Sequence, residues 1–258
     1  MLAVSRPSLP LAALATLAAL ALLPGPLRAQ TGAGHQHHQH PPSVPAASSG
    51  DGAPAIAPTN SGAHSHSDAN SHDHSHALGP AGSTYDLRWL DAMVQHHRGA
   101  LLMSEQVFGA GSPGVGALAH TIWNDQAQEI KAMLQWRRAW YPEAPVHPVT
   151  LPAGADPDAI TALKRLSPEQ IAAMQMGASG VSASNRITWF LEGMIAHHGG
   201  ALEMAHDALA KSRNPTIRRL AREIIVAQRR EILVLRHMLR HDGLNKPEYN
   251  QFDRLFTP

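Results

Sequence analysis

The chain has 258 residues, a formal net charge of +1 and no cysteine. It is long enough to bury a substantial core, but it can form neither a disulfide framework nor a thiolate metal site, so any soft-metal chemistry must use methionine sulfur. Acidic and basic residues balance, and no strong basic patch precedes the last helical stretch, so nothing recommends nucleic acid as a partner.

Residues 1–29 carry Arg6, then the apolar run LPLAALATLAALALLP, then GPLRAQ. This is the three-part layout of a secretory signal peptide, with an apolar run too short for a comfortable membrane span. Cleavage is expected near Ala29 and Gln30, leaving a periplasmic or secreted protein with no membrane attachment. Residues 30–82 are rich in Gly, Pro, Ala, Ser, Asn and His, with too few large apolar side chains to offset ordering entropy, so this segment is expected to be disordered. Its tracts HQHHQH and HSHSDANSHDHSH have a composition that collects Cu(II), zinc or nickel with little discrimination. A solvated spacer is the competing reading.

The expected folded domain spans residues 83–241. A first helix starts in STYDLRWLDAM, with Ser83 as N-cap and Asp86 completing a capping box, and runs to about Phe108. Ser112 and Pro113 restart a second helix that reaches Trp140. Residues 141–183 form a Pro-rich crossover with two short helical signals, DPDAITALKRL and SPEQIAAMQM. A third long helix covers about 184–211. Asn214 and Pro215 begin a fourth, which ends near His241, and residues 242–258 form a tail. No segment shows the alternation expected of strands. The predicted fold is all-α: a four-helix bundle made of two repeated helical hairpins, 83–140 and 184–241.

The repeat is visible residue by residue. MVQHHRGALLM at 93–103 returns as MIAHHGGALEM at 194–204. Met93, His96, His97, Ala100 and Met103 align with Met194, His197, His198, Ala201 and Met204. The following helices align as QAQEIKAML with QRREILVL, which pairs Gln126 with Gln228 and Glu129 with Glu231. At about 100° per residue, the five first-helix positions fall within roughly 120° of arc. Gln126, Glu129 and Met133 form one stripe on the second helix. If these faces point inward, imidazoles, thioethers and a carboxylate from each half converge in the bundle interior, where helical proteins build metal sites.

A single His on an apolar helix face is usually a hydrogen-bonded core residue, and Met is usually gap filler. Four buried imidazoles need four partners, and a metal supplies a common one, with Glu129 and Glu231 either ligating or orienting a histidine. The candidate metal set is Met93, His96, His97, Met103, Glu129, Met133, Met194, His197, His198, Met204 and Glu231. Asp86 is left out, because capping explains it equally well and its counterpart by alignment is Ile187. Di-iron bundles use Glu-x-x-His pairs that these faces lack, whereas imidazole with thioether suits copper, above all Cu(I). Met174 and Met176 add thioethers in the crossover, where a buried amphipathic turn is the better explanation.

The doubled M-x-x-H-H-x-x-A-x-x-M, each copy followed by Q-x-x-E-I, resembles domain-of-unknown-function family 305 (DUF305). These are ferritin-like helical proteins that include the CopM-type periplasmic copper binders. The resemblance covers residues 84–241. It implies a four-helix bundle, export, and copper or silver binding in metal tolerance. YDLRWLDAM fits the family's opening of each repeat, but RITWFLEGM has Arg186 and Ile187 in place of the aromatic–Asp pair, so equal binding by the two halves is not implied.

The leading expectation is a non-enzymatic exported protein whose bundle holds Cu(I), or Ag(I) in its place, and which exchanges ions with a periplasmic metal-transfer protein. A copper- or iron-dependent oxidase of ferritin-like type and a pH-responsive helical module are the alternatives. Hydrolase motifs are absent from the sequence. Stoichiometry and oligomeric state are not legible in it.

Overall fold

In the computed structural model the described residues are 78–110, 113–176 and 180–258. The signal-peptide reading of residues 1–29, the His-rich tracts and the capping role of Ser112 lie outside them.

The described chain is dominated by five α-helices: α1 (Tyr85–Glu105), α2 (Pro113–Trp140), α3 (Pro168–Gln175), α4 (Arg186–Lys211) and α5 (Pro215–His241). The all-α expectation holds at this level. α1 packs along α2 and α4 along α5, giving two helical hairpins that meet through α1 and α4. Local sequence explains the boundaries. Asn214 caps α5 by accepting the Thr216 N–H at 2.9 Å, with Pro215 at the first helical position. The buried residues Ile217, Leu220, Ala221, Ile224, Gln228, Ile232, Leu235 and Leu239 then recur every three or four positions. No described helix is long and apolar enough to cross a membrane.

α1 does not start as expected. Its N-cap is Thr84, with no side-chain capping bond. The Ser83 hydroxyl instead donates to the Asp158 carbonyl at 2.8 Å, and the Ser83 N–H donates to the Asp158 carboxylate at 2.6 Å. The Thr84 N–H and hydroxyl both reach the Pro157 carbonyl. The first turn of α1 is thus tied to the crossover, which removes Ser83 and Asp86 from capping duty. The capping box belongs to α3, where Ser167 and Gln170 bond each other's backbone N–H reciprocally.

The crossover also departs from the helical reading of DPDAITALKRL. That stretch forms a 3₁₀ turn at Ile160–Ala162 and a short strand β2 (Lys164–Arg165), antiparallel to β1 (Val149–Thr150) with Val149 opposite Arg165. A segment this short gains little as an isolated helix. Here its leucines are fixed by tertiary contact, Leu163 and Leu166 being buried while the Leu166 N–H bonds the Pro148 carbonyl.

Asp91 and Arg137 fasten this crossover to the first hairpin. The Arg137 guanidinium pairs with the buried Asp91 carboxylate and also donates to the carbonyls of Pro145 at 2.7 Å and His147 at 3.0 Å. Asp91 accepts the Val149 N–H at 2.9 Å. Burial pushes the Asp91 carboxyl above its ordinary value even beside this arginine. Backbone also packs on backbone at Gly99, where an added Cβ would sit 2.2 Å from the Gln175 carbonyl oxygen at the end of α3.

The tail is packed rather than frayed. Tyr249 and Lys246 both bond Glu192, Arg236 pairs with Asp253, and the Phe252 ring fills the space that a side chain at Gly199 would need.

Arg137→Met is expected to lower the unfolding free energy by about 3–5 kcal/mol, because it strands a buried carboxylate. Gly99→Ala, an overpacking change, is expected to remove about 1–3 kcal/mol. Urea unfolding measures both, and an Arg137→Met loss below about 1 kcal/mol would show that the pair is no clasp.

Candidate metal centre

Inward-facing positions of α1 and α4 carry the histidines. His96, His97, His197 and His198 are all fully buried, as are Met93 and Met194. Met103, Met133 and Met204 are buried in the same core. α1 and α4 run antiparallel across one another: the Trp89 indole N–H donates to the Met204 carbonyl at 2.9 Å, and the Met103 methyl group lies against Gly193. The crossing brings the two motifs together at their centres. The His96 and His197 rings lie 3.8 Å apart between centroids, tilted by 42°. His197 Nε2 is 2.9 Å from the His96 carbonyl, which can only accept, so Nε2 carries the proton.

The second histidine of each pair turns toward its own hairpin partner. His97 Nε2 is 2.6 Å from Glu129 Oε2, and His198 Nε2 is 2.7 Å from Glu231 Oε2. Glu129 is buried within α2, while Glu231 on α5 is partly exposed. In His97 the carboxylate accepts from Nε2–H, which fixes the tautomer and leaves a lone pair on Nδ1, whereas His198 Nε2 lies at ion-pair distance from Glu231 without hydrogen-bond geometry. In both His97 and His198, Nδ1 is buried with no hydrogen-bond partner among the described residues. An orphaned, oriented imidazole nitrogen is a good ligand for a borderline or soft cation.

The structure therefore brings the four imidazoles and two glutamates of the candidate set into one layer, with the five methionines in the surrounding core. It does not close them into a carboxylate–imidazole cage. No group of three or more His, Asp or Glu side chains is arranged to hold a metal ion among the described residues. Of the crossover methionines, Met174 packs against the core and Met176 ends α3 with a left-handed backbone (φ 48°).

Some polar residues of this layer are not in the candidate set. Gln126 and Gln228 are each 3% exposed; both side-chain polar atoms of Gln126 and the Gln228 Oε1 lack hydrogen-bond partners among the described residues. The doubled Q-x-x-E pattern was the available signal, because a buried amide recurring beside each glutamate is not generic core. Asp125, one residue before Gln126, has its carboxyl pushed up to about 6 by burial and by the nearby Glu231 and Glu129. Nothing in sequence spacing marks it, since its counterpart is Ala227.

The clefts lie elsewhere. One of about 680 Å³ opens between the start of α1, the end of α2 and the α4–α5 turn, lined by Asp86, Trp136, Trp140, Asp158, Lys211 and Asn214 among others. None of the paired histidines lines it.

The family model described as "Domain of unknown function (DUF305)" matches residues 36–137 and 86–239. No curated protein matches the chain. Among solved structures, a DUF305 fragment from Deinococcus radiodurans is 27% identical, covering 63% of this chain and 99% of that one, with a TM-score of 0.47. CopM in its Cu(I)-bound form is 25% identical over 60% of this chain and 96% of that one, at a TM-score of 0.45. CopM in its Cu(II)-bound form is 24% identical over 63% and 99%, at 0.48.

Asp125→Asn gives a signed pH test. The folded carboxyl holds its proton up to about 6 whereas the unfolded one loses it near 3.8, so stability falls as pH rises across that interval. The substitution is expected to raise the melting temperature at pH 7 and leave it unchanged at pH 3. A lower melting temperature at pH 7 would show that Glu129 and Glu231 do not crowd this group.

Proposed function

We propose that this chain, which belongs to the DUF305 family, is a metal-binding protein whose buried histidine layer takes Cu(I), with Ag(I) as a substitute. The observation that carries the reading is the matched pair of orphaned nitrogens. Glu129 and Glu231 hold the Nε2 side of His97 and His198, and the Nδ1 side of each ring is buried with no partner among the described residues. Leaving such atoms unsatisfied costs about 1–3 kcal/mol each, and a cation removes that cost.

The donor chemistry selects the ion. Imidazole nitrogen and the thioethers of Met93, Met103, Met133, Met194 and Met204 form a soft, largely neutral set, with no cysteine to compete. His96 and His197 belong to the same layer, and their rings position the crossing of α1 and α4. The glutamates orient and polarise their histidines rather than neutralise a hard cation. Binding rather than turnover is the assigned role: the four imidazoles are fully buried, and the open cleft at the helix ends lies away from them.

In this reading the two hairpins make a ferritin-like four-helix bundle, the protein acts outside the cytoplasm after signal cleavage, and it trades ions with a metal-transfer partner. The His-rich stretch before residue 78 adds lower-selectivity capacity for Cu(II), zinc or nickel.

Competition against a chromogenic Cu(I) chelator tests the site. His97→Ala with His198→Ala is expected to abolish the tight component. Glu129→Gln is expected to weaken it by about 10–100-fold, the usual effect of losing a carboxylate behind a ligating histidine. Deleting residues 30–77 is expected to lower stoichiometry and leave the tight component intact. Unchanged Cu(I) affinity in the histidine double variant would end the proposal.

A further inference from the structure

The histidine layer is closed on several sides. Across the α1–α4 contact the His96 and His197 rings touch. Beyond Gly99 the backbone of Gln175 lies in direct contact, and beyond Gly199 the Phe252 ring does the same. α2 and α5 pack less closely on each other than α1 and α4 do.

That seam is lined by acids from both helices. Asp125 and Glu129 lie one turn apart on α2, and Glu223 and Glu231 lie two turns apart on α5. The two sets act on one another: Glu129 and Glu231 raise the Asp125 carboxyl on top of its burial, and Glu129 contributes to raising Glu223. Arg219 is the cation that bears on Glu223, and it offsets that group only in part. Asp125 and Glu223 are half-buried, at the outer edge of the layer. Inside them come the amides of Gln126 and Gln228, 97% buried and on the same stripes as Glu129 and Glu231. Glu223 Oε2, both polar atoms of Gln126 and Gln228 Oε1 have no hydrogen-bond partner among the described residues. Polar atoms thus lie along both helices toward the His97–Glu129 and His198–Glu231 pairs, and among the described residues no three His, Asp or Glu side chains are arranged to hold a metal ion. A chelating cluster would trap an ion, whereas a spaced series lets it move.

We propose that the seam between α2 and α5 is the entry passage for the metal cation, with Asp125 and Glu223 drawing it in and Gln126 and Gln228 relaying it to the glutamate-held histidines. This rests on the metal-binding reading above. Carboxylates gathered along the seam raise the local concentration of a cation and its rate of arrival, while in this proposal the affinity is set deeper, at the imidazoles and thioethers.

The test is stopped-flow tryptophan fluorescence of the full chain mixed with excess silver nitrate in nitrate buffer at low ionic strength. All five tryptophans lie between residues 89 and 189, so the His-rich stretch contributes no signal of its own. Asp125→Asn with Glu223→Gln is expected to slow association about tenfold and flatten its dependence on salt, with bound stoichiometry unchanged. Gln126→Leu keeps every charge and is expected to slow association at all salt concentrations. The control, Glu143→Gln with Asp242→Asn, removes two exposed charges far from the seam and is expected to change the rate by less than about twofold. Equal rates in the seam and control variants would overturn the passage and leave the site standing. An unaltered fluorescence change in His97→Ala with His198→Ala would overturn the site, and the passage with it.

Discussion

Two short polar contacts, His97 to Glu129 and His198 to Glu231, organise this molecule. Each spans the two helices of one hairpin: Glu129 accepts from one side of the buried His97 ring, and Glu231 lies at ion-pair distance from His198. Without its carboxylate, a buried histidine would carry two unsatisfied nitrogens at a cost of several kcal/mol. With it, the ring is held in one tautomer and one orientation. The glutamates therefore explain how a helix interface can consist of histidine and still be a core. They also explain why the polar layer sits at the crossing of α1 and α4, where both pairs are shielded at once.

Around that layer the structure behaves as ordinary helix packing. Leucine, isoleucine and alanine fill α4 and α5, and small residues admit close neighbours: Gly99 admits the backbone of α3 and Gly199 an aromatic ring. Methionine fits both roles. It packs as an apolar side chain against curved surfaces and keeps a polarisable sulfur beside nitrogen donors. In the proposed reading, the same residues support the fold when no ion is bound and complete a coordination shell when one is.

Much of this was legible in the sequence because helical periodicity is a local property. The spacing of Met93, His96, His97 and Met103 fixes a common face, and burial of a face that recurs in α4 follows from it. What spacing cannot give is register between helices. That His97 meets Glu129, while His96 meets its counterpart ring His197, depends on how the hairpins cross, which no single helix encodes. Asp125 was invisible for a related reason: its carboxyl is raised by burial and by Glu231, which arrives from another helix. The crossover misled more directly. DPDAITALKRL has apolar residues at helical intervals, yet Asp158 is used to hold the start of α1, and its leucines are buried by a two-residue ladder. The S-x-x-D at Ser83 and the S-x-x-Q at Ser167 look alike as capping boxes, and only the second became one, because the Ser83 hydroxyl had a longer-range partner in Asp158.

The attachment of the crossover through Arg137 bears on the order of assembly. Residues 85–176 are joined mainly to one another, by the α1–α2 hairpin, the Asp91–Arg137 clasp and the contact of α3 with α1. The second hairpin is likewise self-contained, with its tail folded back on it. Contacts close in sequence form fastest, so docking of one preformed half on the other comes last. A ribosome that has released only the first half displays His96 and His97 on an open helix face, with Glu129 in place but no opposing ring. The enclosed layer is a product of the final collision between halves, and nascent chains experience it as a surface before they experience it as an interior.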